Sequence, residues 1–414
     1  MKKGQKWIVC GLVLAVLLAT GISIKVGLDS RSEVQSQVDR KTLPGTLSKK
    51  EEEQLQQAEA LAKQYDYDGA IKLLRDLDIK EAEAKITDYE LQKSEAIVWS
   101  DPTLFSHLSV QPLVVSPDRA FSANANYRGN NLTIDEFSNL LNELYEREYV
   151  LVRLSDIVKK NDNGEWEFIG VTLPDGKKPL LLSQENVSYN EETAEAGLST
   201  KLVVDRDNRV KSCYREGDNE LAGNYDMVPL VDQFVWQHPE FSYRGSKGTL
   251  AVSGAEGVFG YDVSAKGKAK NKERATAVAD RLKETGWTLA SYSWGPINFN
   301  HSTLAIVQQD TVKYKAEVEP IIGETPLLLF PSGSDIGTWQ PYNEYNPTYV
   351  YLQDAGFSVF SQQDASLESW GEFSPAYYRN SRIMVTGTAL ESGAAYLAPF
   401  MDTADVIDTE ARGL

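Results

Sequence analysis

Histidine and cysteine are nearly absent from this chain. Its 414 residues include three histidines, His107, His238 and His301, and two cysteines, Cys10 and Cys213. Cys10 falls inside an apolar N-terminal run, so the two thiols make neither a disulfide framework nor a zinc set. The shortage of imidazoles is the tighter restriction, because histidine is the usual zinc ligand and the usual proton shuttle near neutral pH. Positive charge is also in deficit: 42 Lys and Arg against 60 Asp and Glu leave a net charge of −18. So acidic a balance argues against nucleic acid or an anionic lipid surface as the main partner, and reads most plainly as a solvated, self-repelling exterior. Apolar residues make up an ordinary 42%, enough for one large domain with smaller attachments.

The N-terminus carries a different signal. Lys2, Lys3 and Lys6 precede an apolar run over 7–28 that is long enough to span a bilayer. The basic flank predicts a cytoplasmic tail at 1–6, an anchor at 7–28 and a cell-membrane protein whose bulk is extracytoplasmic. A cleaved signal peptide is the competing reading; the length of the run and the lack of a small-x-small site favour an uncleaved anchor. Residues 29–48 are polar and read as a linker. Across 49–98, Leu55, Ala58, Leu61 and Ala62 share one helical face, and Ala70, Ile71, Leu73 and Leu74 another. The pair resembles one tetratricopeptide-type unit and is followed by a third helix over 81–97. A single unit cannot cover both faces, so it either docks on the main domain or offers a surface to a protein partner.

From 99 to 414, strand and helix signals alternate. Strands are expected at 104–110, 149–152, 180–183, 248–254, 287–291, 326–330 and 357–360. Helices are expected at 134–148, capped by Thr133, and at 227–238, 271–285, 302–318 and 348–355. The stretch 202–210 reads as a hairpin insertion. Alternation of this kind implies a parallel sheet, most simply an α/β barrel, with any chemistry at the carboxyl ends of the strands.

The central stretch is Lys178-Pro179-Leu180-Leu181-Leu182-Ser183-Gln184-Glu185-Asn186. It resembles the first motif of the polysaccharide deacetylase (NodB-homology, carbohydrate esterase) family, in which a similar strand ends in Ser/Thr-x-Asp-Asp. The strand-helix-strand passage before it and Asp310 to Pro320 are similar too. The resemblance implies a distorted (β/α) barrel acting on, or binding, a cell-envelope polysaccharide or peptidoglycan. It also implies a first Asp as catalytic base, a second as metal ligand, and two further ligands from Ser-His-x-x-x-His. Here Glu185 stands at the base position, and Asn186, Tyr292 and Pro296 stand at the three ligand positions. A phenol with a pKa near ~10 is a poor zinc ligand, and proline offers no donor. The third motif, matched to Phe330-Pro331-Ser332-Gly333-Ser334-Asp335, lacks the family's orienting arginine, and no histidine follows His301 to act as the late acid.

The chain therefore reads as a degenerate member, a pseudoenzyme with no cofactor expected. Asn186, Tyr292, Trp294, Asp335, Trp339 and His107 are candidate sugar contacts, with Tyr342, Tyr345 and Trp370 nearby; aromatic faces and amide hydrogen bonds are how sugars are held. Some of these aromatics should instead be core, and an ordinary hydrogen-bonded histidine is the plainer reading of His107. Two alternatives stay open. One is an active deacetylase with zinc or another divalent metal on rearranged ligands such as Glu185, His107 and Asp335; the other is an interaction protein built around its helical module.

Overall fold

The computed structural model describes residues 47–264, 269–337, 340–364 and 366–414. The expected anchor at 7–28 lies outside them; among the described residues no helix is long and apolar enough to cross a membrane.

Three helices, α1 (Lys49–Lys63), α2 (Tyr67–Leu74) and α3 (Lys80–Glu95), form the N-terminal module. Asp66 caps α2 by accepting from the Gly69 backbone, and the chain reverses at Tyr65, whose φ is 65°. That corner is also the docking point. The Tyr65 hydroxyl donates to the Glu240 carbonyl at 2.6 Å and its ring stacks on Tyr243, while Arg244 N donates to the Gln64 carbonyl at 2.8 Å. The module is thus seated on the larger part of the chain by the loop after α1, and Tyr67 packs on Tyr89 to hold α2 against α3.

The larger part is a curled parallel sheet. Its strands are β1 (Ser106–Val110), β2 (Lys178–Gln184), β3 (Thr249–Val252), β4 (Thr288–Ser291), β5 (Leu327–Leu329), β6 (Val359–Gln362), β7 (Tyr377–Ser381) and β8 (Ile383–Met384). They pair in the order β7-β6-β5-β4-β3-β2-β1-β8, and Tyr149–Leu151, near the strand expected at 149–152, pairs parallel with the start of β2 off this path. β7 pairs with β6 and β8 with β1, and only Arg382 separates β7 from β8, so a single stretch of chain joins the two ends of the sheet. The result is a curled half-barrel sheet whose two ends meet at Arg382. This last strand was not expected from the sequence. Gly371–Ser374 adds an antiparallel edge to β7.

Outside the sheet pack α4 (Ile134–Glu146), α5 (Met227–Gln237), α6 (Ala269–Glu284), α7 (Leu304–Glu317) and α8 (Pro347–Asp354). Thr133 caps α4 in a capping box with Glu136, and Phe137, Leu140, Leu141 and Leu144 are its buried face. Alternation along the strands sorts the side chains. Leu108, Val110, Leu180 and Leu182 join the apolar core beneath the helices. His107 and Ser109 have the opposite parity and meet Ser183, Ser361 and Asn380 in a buried polar layer. The expected hairpin at 202–210 is part of a three-stranded antiparallel sheet, Ser199–Val204, Val210–Glu216 and Asn219–Gly223, separate from the half-barrel.

Candidate functional site

The carboxyl end of β2 delivers Glu185 and Asn186 to the top of the half-barrel. Glu185 is fully buried. Its Oε1 accepts from Arg382 Nε at 2.7 Å and Gln363 Nε2 at 3.2 Å, and its Oε2 accepts from Tyr292 OH at 2.7 Å and Gln111 Nε2 at 3.0 Å. An ionised carboxylate has about four lone-pair positions, so this one is saturated. Arg382 is equally committed, donating Nη1 to the Ser361 carbonyl at 2.5 Å and Nη2 to that of Phe330 at 2.6 Å. Four strand ends therefore converge on one carboxylate: Gln111 after β1, Tyr292 after β4, Gln363 after β6 and Arg382 at the seam.

Arg382 corrects the expectation that no arginine orients Glu185. The guanidinium comes from the closing strand, 197 residues away in sequence, rather than from the segment after β5. A desolvated carboxylate needs a cation, and the seam is where the backbone brings one close. Gln111 and Gln363 were missed as well; no local signal marks a glutamine as the second layer of a site.

Tyr292 donates to Glu185 and accepts from Ser332 N at 3.2 Å. Burial and the neighbouring carboxylate push its phenol well above the usual range, so it remains a protonated donor. The following turn is fixed by Asp310 of α7, which accepts from Trp294 N at 2.8 Å and Gly295 N at 2.7 Å; Pro296 sits partly exposed in that turn. Asn186 Oδ1 accepts from Ser188 at 2.8 Å and Ser253 at 3.1 Å. Asn186, Ser293 and Ser332 all have positive φ, 51°, 58° and 53°. Non-glycine residues held there cost of order 1–3 kcal/mol each, and such strain gathers at functional faces.

The other expected site residues lie in separate networks. His107 is one layer down inside the half-barrel, with Nε2 2.8 Å from Ser183 Oγ. Ser183 gives its own proton to Ser109, and on the other edge of the ring His107 Nδ1 lies 3.3 Å from Asn380 Oδ1 and from Ser361 Oγ. Burial, and then the Arg382 charge, lower the His107 pKa to about 3, so the ring is neutral. Asp335 sits beside Arg379 at 3.6 Å and accepts from the Tyr342 hydroxyl and from Ile336 N. Tyr342 is itself buried beneath Arg379. Trp294 donates its indole N–H to Glu317 at 2.8 Å and carries the Lys313 ammonium over its ring at 4.0 Å. Trp370 donates to Asp364 at 2.7 Å, Tyr345 is 85% exposed, and Trp339 lies outside the described residues. Of the expected set, Glu185 and Tyr292 touch and Asn186 adjoins Glu185 in the chain; His107, Asp335 and Trp294 do not join them.

No protein-family model matches the chain, and no curated protein matches it. Among solved structures, the Streptococcus pyogenes deacetylase PplD in complex with acetate is similar, with a TM-score of 0.39 and 11% identity over 69% of this chain and 94% of that one. A likeness that distant carries nothing about chemistry, which has to come from the side chains. The positions implied to hold a metal are an amide, a protonated phenol and a proline; this set does not fit zinc. Among the described residues, no three His, Cys, Asp or Glu side chains gather as metal ligands.

What the rim does offer is amide chemistry. Gln111 and Gln363 turn their N–H groups down onto Glu185, which leaves both carbonyl oxygens directed away from it. Asn186 spends its oxygen on two serines and keeps its N–H groups. All three are partly exposed, and Ser332 is exposed beside them.

Proposed function

We propose that the chain is a membrane-anchored, extracytoplasmic protein of polysaccharide deacetylase type that binds a cell-envelope glycan at this strand-end rim without hydrolysing it. One observation carries the reading: the carboxylate at the base position is completely buried and saturated by four donors. A general base must reach the proton it removes, and a carboxylate with no free lone pair and an arginine across its edge cannot take one from water. Two amide acceptors, one amide donor and a serine hydroxyl above it suit the hydroxyl and acetamido groups of a neutral sugar. The anchor and the outward orientation rest on the basic flank and apolar run of the N-terminus.

The test is a titration of the full-length protein in nonionic detergent with N-acetylated chito-oligosaccharides, with and without a chelator. The expected result is binding that ignores the chelator and falls on Asn186→Ala or Gln363→Ala. Chelator-sensitive binding, or binding untouched by both substitutions, would overturn the proposal.

A further inference from the structure

A second recognition surface lies away from the strand-end rim. A groove of about 600 Å³ runs between α5, the separate three-stranded sheet and the end of α6, with Gln64 of the N-terminal module at one side. That volume is in the range of small-ligand sites. Its most unusual feature is Trp236, which is 81% exposed, whereas Trp287 close by is 2% exposed. An indole left in water is not part of any core, and one at the wall of a concave groove is placed to lay its apolar face on a ligand.

Four cations, Arg209, Lys211, Lys247 and Arg281, line the groove, and charge is balanced there except at one of them. Lys247 pairs with Asp232, Arg209 with Asp205 and Asp207, and Arg281 with Glu284. Lys211 has no carboxylate partner among the described residues and donates instead to the neutral Asn224 amide at 2.7 Å. The glutamines Gln64, Gln233 and Gln237 supply neutral donors and acceptors between these charges.

We propose that this groove binds an anionic saccharide, a chain of sugars bearing carboxylate or phosphate groups. The indole takes the apolar face of a ring, the glutamines take hydroxyls, and Lys211 takes the charge. The concave shape and the glutamine lining favour a discrete polyhydroxylated ligand over a flat lipid surface, which would ask only for the tryptophan and the cations. The assignment is independent of the strand-end reading.

Oligogalacturonate of defined length is the probe, titrated against the full-length protein in nonionic detergent and followed by tryptophan fluorescence. A neutral chito-oligosaccharide of equal length and phosphatidylglycerol vesicles serve as comparisons. Binding of oligogalacturonate should weaken with salt, and should weaken about tenfold or more in Trp236→Ala and in Lys211→Gln, roughly the loss of one stacked or charge-assisted contact. It should be unchanged in Asn186→Ala, so failure here and failure at the rim are distinguishable. Absence of binding, equal binding by all variants, or a Trp236 response to the vesicles alone would each overturn the proposal.

Discussion

Replacing Arg382 with methionine is the sharpest perturbation of the half-barrel. The side chains of Arg382 and Glu185 are 0% and 1% exposed, so neither charge has water to fall back on. Methionine keeps most of the volume but strands the Glu185 carboxylate and frees the Ser361 and Phe330 carbonyls. Removing one partner of a buried ion pair costs about 3–5 kcal/mol. Spread over the unit Lys49–Leu414, an unfolding entropy of about 2.1 cal/mol/K per residue converts that to a Tm loss of about 4–7 °C. Replacing both partners, Arg382→Met with Glu185→Leu, removes the uncompensated charge and should recover a substantial part of the loss. Differential scanning fluorimetry on the wild type and the single and double variants measures this directly. A single variant as stable as wild type, or a double variant no better than the single, would refute the claim that the pair is one structural unit.

His107 should make stability fall on acidification. Its pKa is about 3 folded against an ordinary 6.5, so the unfolded chain binds the extra proton; the contribution is complete above 6.5 and is lost as the pH falls toward 3, by at most about 1.4 kcal/mol per pH unit. His107→Gln should flatten that slope in urea titrations between pH 6 and 4, and an unchanged slope would assign the acid sensitivity elsewhere. Gly254→Ala should destabilise by about 1–3 kcal/mol, since its new Cβ would lie 2.7 Å from Trp294 Cδ1 and 2.6 Å from Val318 Cγ2; a neutral result in chemical denaturation would contradict that packing. Tyr65→Ala should loosen the N-terminal module by removing the bond to Glu240 and the stack on Tyr243, read as faster release of α1–α3 in limited proteolysis.

The elements that local pattern can mark were legible in the sequence. The Thr133 cap, the apolar face of α4 and the Leu180–Leu182 run all follow from spacing and composition. Several strands proved shorter than expected, because Gly248, Gly254 and Phe330 belong to the turns rather than the ladders. The closing strand was invisible for a physical reason. Tyr377-Tyr378-Arg379-Asn380-Ser381-Arg382 looks like a solvated segment, yet it is buried throughout, because the interior at that level is polar and satisfies Arg382 with Glu185 and backbone carbonyls. Pairing rules based on apolar runs fail where the core itself is hydrogen-bonded. Glu185 and Tyr292 could be singled out by position; the partners that decide their role come from distant strand ends.

The most direct test of the account is to incubate the full-length protein with N-acetylated chito-oligosaccharide, with and without added zinc, and quantify free acetate and retained sugar in the same sample. The account predicts retained oligosaccharide and no acetate above the protein-free control under either condition. Acetate release that disappears in Glu185→Gln would contradict it, because that carboxylate would then be working on substrate rather than holding Arg382.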